Sequence, residues 1–177
     1  AAVDGLVGLG QGAGLLGEVS SHLNSGDVSA VRKAISARSS DGRRDEIVSL
    51  FATGALHRSQ GSLDSALFSL NRALILAREG GLVRDTAMTL LEIGSVYLQA
   101  GRFAMADMVL EEASGALEGS SFVVMKTAVH LALGRSAMRL GHLSDAQRHL
   151  KAASVSSDDV FGGIRYRELQ ASLWAEN

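Results

Sequence analysis

Few residues in this chain stand at spacings that could do chemistry. Gly12, Gly14 and Gly17 make a Gly-x-Gly-x-x-Gly pattern. Such a pattern cradles a pyrophosphate when it joins a strand to a helix, with an acid about 20 residues further on. Here the preceding residues are few and broken by Gly5, Gly8 and Gly10, and everything after them is patterned as helix. The stretch therefore reads as a glycine-loosened helix or arm. His142 and His149 are seven residues apart, two turns on one helix face. No third ligand accompanies them, and zinc requires three or four, so no metal site is expected. His57 and His130 fall in packing columns described below. Asp158 and Asp159 suit the start of a helix, where the dipole favours negative charge. Arg43-Arg44-Asp45-Glu46 reads as a solvated helix start. No nucleophile is paired with a base and no two carboxylates share a setting. The expectation is a protein that is not an enzyme, with no cofactor and no metal. Arg135 and Arg139 are four apart, so both guanidinium groups project from one helix face and could receive a carboxylate.

The elements that must position these residues follow from composition and period. The chain has 177 residues, enough for one domain with its own core. Its apolar fraction of 46% is that of a globular protein. A net charge of −2 supplies no general attraction to nucleic acid or to an anionic membrane. Cysteine is absent, which excludes disulfides and thiolate chemistry. Proline is absent too, so the 20 glycines must provide the breaks between elements. No apolar run reaches the ~20 residues that span a bilayer, and the start of the chain lacks the basic region of a signal peptide.

A period of 40 residues runs through the middle of the chain. Gly54, Gly94 and Gly134 stand in register, as do Gly61, Gly101 and Gly141. Ala66, Ala106 and Ala146 follow, then Leu70, Leu110 and Leu150, then Ala73, Ala113 and Ala153. A fixed period of this size predicts stacked supersecondary units. Ile47, Leu50, Phe51, Gly54, Ala55 and Leu56 have helical spacing, Gly61 stops that helix, and Leu63, Ala66, Leu67, Leu70, Ala73, Leu74 and Leu76 make a second. The unit is a helix–turn–helix hairpin. Glycine inside a helix costs about 1 kcal/mol relative to Ala, so Gly54 and its copies imply close helix approach, with Ala66, Ala106 and Ala146 expected opposite. Leu70 and Ala73 are expected to face the next hairpin.

These columns, Leu50–Gly54–His57–Gly61–Ala66–Leu70–Ala73 and their copies, resemble tetratricopeptide (TPR) repeats. The second copy is the cleanest, with Tyr97 at the aromatic position. Six extra residues per unit (81–86 and 121–126) are compatible with helix and should lengthen the helices. The 40-residue form is similar to repeats of the Leu-Gly-Asn type polarity scaffolds and of several bacterial regulators. The resemblance implies an all-α, right-handed α-solenoid of TPR-like hairpins with a C-terminal capping helix. Residues 1–11 are expected as a glycine-rich arm and 12–46 as a degenerate first hairpin. Residues 47–157 should hold three repeats (47–86, 87–126, 127–157), and 158–177 the capping helix. Trp174, in the packing-glycine column, ends the array.

The resemblance also implies a function. First helices line the concave groove of such an array. Inward positions carried over from the family, with a candidate partner-binding role, are Phe51, Ala55, Arg58, Leu91, Ser95, Leu98, Gln99, Leu131, Arg135, Met138 and Arg139. A groove floor with flexible Met suits the apolar face of a helix or peptide, and the arginines suit an acidic group. Repeats that clamp a C-terminal carboxylate use Lys and Asn where this chain has Phe51, Ala55, Leu91 and Ser95, so that mode is not implied. An Asn ladder after the packing glycine is replaced by Ala55, Ser95 and Arg135. The expectation is a protein–protein interaction scaffold for an apolar or amphipathic segment, with an acidic one as a further option. The alternatives are a regulatory module of a larger signalling or transcription protein, or a structural subunit of an assembly. The partner is a protein or peptide, not nucleic acid, without membrane insertion; self-association is a further option. The expected location is the cytoplasm, with nucleus or an organelle as alternatives.

Overall fold

A computed structural model describes residues 14–36 and 42–155. Among the described residues there are eight helices and no strand: α1 (Leu15–Asn24), α2 (Val28–Ser36), α3 (Arg43–Ser59), α4 (Leu63–Glu79), α5 (Val83–Gln99), α6 (Phe103–Ala116), α7 (Val123–Arg139) and α8 (Leu143–Val155). None of these is long and apolar enough to cross a membrane. The closest pairs are α3 with α4, α5 with α6 and α7 with α8; α4 then packs on α5 and α6 on α7. First helices also touch one another, α3 with α5 and α5 with α7. Contacts therefore run between chain neighbours, the arrangement of a repeat stack.

Glycine sets the helix ends. Gly26, Gly61, Gly81, Gly101 and Gly141 have φ between 62° and 77°. After α3 the amide of Gly61 donates to the carbonyl of Arg58 and that of Ser62 to His57. The same pair of bonds recurs at Gly101 (to Leu98, with Arg102 to Tyr97) and at Gly141 (to Met138, with His142 to Ala137). This is the Schellman arrangement, and its left-handed residue is strained for anything but glycine. A proline-free chain thus turns after α3, α5 and α7 within a few residues. The helices α3, α4, α5 and α7 each have 17 residues. Four of the six extra residues per repeat (83–86 and 123–126) form the first turns of α5 and α7, the lengthening that the sequence predicts, and the other two lie in the preceding turn. The unit boundaries at 47, 87 and 127 consequently fall one turn inside α3, α5 and α7.

All five repeat columns are internal or at turns, but two expected contacts are corrected. A Cβ built on Gly54 would lie 2.5 Å from Cγ of Leu70, and one on Gly94 would lie 2.6 Å from Cγ of Leu110. The space left by glycine is therefore filled by the leucine of the same hairpin, not chiefly by the alanine column. Those leucines face their own hairpin's glycine rather than only the next hairpin. Leu70 and Leu110 are fully buried as a result. At Gly134 the corresponding distance to Leu150 is 3.4 Å, ordinary van der Waals contact.

A continuous core runs from Phe51 in α3 through Leu70, Leu90, Ile93 and Leu110 to Met125, Val129 and Leu133 in α7. The first hairpin packs on α3 through a second cluster, with Leu15, Val19, Val31 and Ala34 against Ala52 and Leu56. Asp27 caps α2 by accepting from the amide of Ala30 at 2.9 Å. The expected arm (1–11) and capping helix (158–177, with Trp174, Asp158 and Asp159) lie outside the described residues.

Candidate functional site

The eleven residues expected to line a groove divide into two groups. Phe51, Ala55, Leu91 and Leu131 are buried within the stack, as is Arg58. They cannot touch a partner while the stack is closed, which corrects the expectation of an open apolar floor along all three repeats. Phe51, Ala55 and Leu91 are enclosed in the core shared by successive hairpins, and Leu131 is enclosed within its own hairpin, against α8. The second group stays accessible. Gln99, Arg135 and Arg139 are exposed; Ser95, Leu98 and Met138 are half-buried. All six lie on α5 and α7, so the accessible site is shorter than expected and leaves α3 out.

Its geometry follows from the repeat. Ser95 and Gln99 on α5 occupy the columns of Arg135 and Arg139 on α7. Each pair is one helical turn apart, on the same face. Ser95 Oγ donates back to the carbonyl of Leu91 at 3.0 Å. Gln99 Nε2 donates to the carbonyl of Arg58 at 3.3 Å, bridging to the previous hairpin. Leu98 and Met138 rest against buried leucines and alanines, with part of each side chain in solvent. The guanidinium of Arg139 sits 5.2 Å from the ring centroid of Phe103, at the start of α6. Phe103 is held near α7 because the buried Ser136 Oγ donates to its carbonyl at 2.9 Å. Neither Arg135 nor Arg139 has a carboxylate within ion-pair distance among the described residues. Helices α5 and α7 thus carry two guanidinium groups with no ion-pair partner among the described residues, together with two partly exposed apolar side chains.

Of the three arginines expected in the groove, Arg58 is the one that finds a carboxylate. Its Nε donates to Oε1 of Glu92 at 2.6 Å, and both side chains are almost wholly enclosed. Glu92 is not singled out by the sequence patterns; the signal for it is the spacing of 34, which Arg78 and Glu112 share in a second inter-hairpin ion pair. Asp85, also buried, lies 3.7 Å from Arg44.

The histidine pairing is also corrected. His142 is exposed at the α7–α8 turn, away from any packed cluster. His149 stacks instead on His130 across the hairpin, with ring centroids 5.8 Å apart. Burial is the main reason both imidazoles are held below their ordinary pKa of 6.5. No group of three or more His, Asp or Glu among the described residues is placed to hold a metal ion. Of the Gly-x-Gly-x-x-Gly pattern, Gly12 lies outside the described residues, Gly14 precedes α1 and Gly17 is inside it.

No protein-family model matches the chain, and no curated protein is significantly similar to it in sequence.

Proposed function

We propose that the chain is a TPR-like interaction module that carries out no reaction and holds a segment of a protein partner against α5 and α7. The segment would be acidic and amphipathic. Its carboxylates would meet Arg135 and Arg139, and its apolar side chains would rest on Leu98 and Met138. The observation that carries this reading is the pair of exposed arginines with no carboxylate within ion-pair distance among the described residues, on helices that also carry partly exposed Leu98 and Met138. Guanidinium pairs recognise carboxylates bidentately, and Met adapts to irregular apolar surfaces. The 40-residue resemblance to TPR scaffolds points the same way. A set of acidic, leucine-containing peptides titrated against the chain in fluorescence polarisation tests it. Binding should occur and should be lost when Arg135 and Arg139 are both changed to Glu. Equal binding by the double variant sinks the reading.

A second reading, a structural subunit of an assembly, has its own observation. Phe68 is 68% and Met108 70% exposed, and they occupy the same repeat column on α4 and α6. An assembly would cover them. Phe68→Ser with Met108→Ser should then abolish co-purification of the other subunits while leaving peptide binding intact.

A further inference from the structure

One ionisable cluster is not used by the proposed interface. It lies where α6, α7 and α8 meet. His130 on α7 and His149 on α8 stack with their planes 29° apart. Nδ1 of His130 is enclosed and has no hydrogen-bond partner among the described residues. His149 is 7% exposed, and its Nε2 lies 3.5 Å from a guanidinium nitrogen of Arg148 and 3.6 Å from Oε1 of Glu111 on α6.

This arrangement suits neutral rings. A neutral imidazole keeps one nitrogen as a bare acceptor, whereas an imidazolium must place two N–H groups. Protonating His130 would leave a buried N–H unpaired, and leaving a buried donor without a partner is costly. Protonating both rings would set two like charges 5.8 Å apart. The surrounding charges are mixed. Lys126 on α7 and Arg148 on α8 add to the repulsion; Glu111 and Asp107 on α6 and Asp145 on α8 oppose it. Burial outweighs the acids at both rings.

We propose that the His130–His149 stack is an acid-sensitive latch that holds α8 on α7 at neutral pH and loosens the α7–α8 hairpin when the rings are protonated.

The direction follows from linkage. An imidazole in the opened hairpin titrates near its ordinary value, about 6.5. In the closed hairpin both titrate lower. Above the ordinary value both forms are neutral and the closed hairpin has its full stability. As pH falls below it, the open form binds protons first, and stability is lost until the lower, closed-state values are passed. The repeat supplies the control residues. The column of His130 holds Leu90 in the preceding unit, and that of His149 holds Val109. The variant His130→Leu/His149→Val therefore installs side chains that the fold already accommodates at those columns.

Hydrogen–deuterium exchange on the whole chain at pH 7.5 and 5.5, corrected for intrinsic exchange rates, tests the proposal. Protection of α7 and α8 amides should fall by about threefold or more at pH 5.5 relative to α3 and α4 amides. The double variant should keep the same ratio at both pH values. Glu111→Gln, which removes an acid favouring the charged rings, should enlarge the loss. Equal wild-type protection at the two pH values overturns the latch, as does an equal loss in the double variant. If the double variant does not fold, His130→Leu alone must at least halve the wild-type loss, since it removes both the like charge and the enclosed nitrogen.

Discussion

Arg58 in α3 and Glu92 in α5 form a charged pair inside the stack, with Nε donating to Oε1 at 2.6 Å and side-chain exposures of 8% and 2%. They link the first helices of two successive hairpins. One repeat further on, the same two columns hold Leu98 and Ala132. Where one repeat has an ion pair, the next has apolar groups, Ala132 in the core and Leu98 packed against it. Removing one member of a buried pair leaves an uncompensated charge, at a cost of about 3–5 kcal/mol, whereas replacing both with apolar residues is often neutral. Glu92→Ala should thus lower the unfolding free energy by several kcal/mol in urea titration. The double change Arg58→Leu with Glu92→Ala, copying the next repeat, should recover most of it. A double variant as unstable as the single one would show that the pair supplies net stability.

The packing glycines are not equivalent. A methyl group on Gly94 would meet the buried Leu110 at 2.6 Å. Overpacking of this kind costs about 1–3 kcal/mol, against a helix-propensity gain of about 1 kcal/mol. Gly94→Ala should be destabilising, and so should Gly54→Ala. At Gly134 the methyl group would sit 3.4 Å from Leu150, so Gly134→Ala should be neutral or stabilising by up to about 1 kcal/mol. Equal denaturation midpoints for the Gly94 and Gly134 variants would refute this ordering.

A third contrast separates turn glycines from ordinary ones. Gly101 ends α5 with φ of +71°. Gly101→Ala should cost about 1–2 kcal/mol because an L side chain is strained there. Gly115, inside α6, has a helical backbone and open space around a built Cβ. Gly115→Ala should therefore raise the thermal midpoint, the opposite sign for the same substitution.

The proposed interface depends on where Arg139 is held. Its stacking on Phe103 is an exposed cation–π contact, worth about 0.5–1 kcal/mol. Phe103→Leu should weaken acidic-peptide binding about two- to fivefold through loss of that positioning. Peptide binding should also weaken as salt is raised, since the arginines are at the surface. An affinity indifferent to both changes would move the interface elsewhere.

Much of the architecture is legible from the chain itself because its cause is local. The 40-residue columns mark hairpins, and the glycines after each helix mark stops, since φ near +70° is a property of single residues. Helical spacing likewise identifies Leu70, Leu110, Ala73 and Ala113 as internal. Which side chains remain accessible is not local. Phe51, Ala55, Leu91 and Leu131 take the same inward positions of the repeat pattern as Ser95, Leu98, Arg135 and Met138, and only packing, between successive hairpins for the first three and against α8 for Leu131, decides which of them lose solvent. Pairing is equally a tertiary outcome. From spacing, His149 belongs with His142, two turns away on its own helix, and Arg58 belongs with Arg135 and Arg139 as a surface cation. Packing brings His149 onto His130 and Arg58 onto Glu92, because a buried polar group takes whatever partner the adjoining hairpin places within reach.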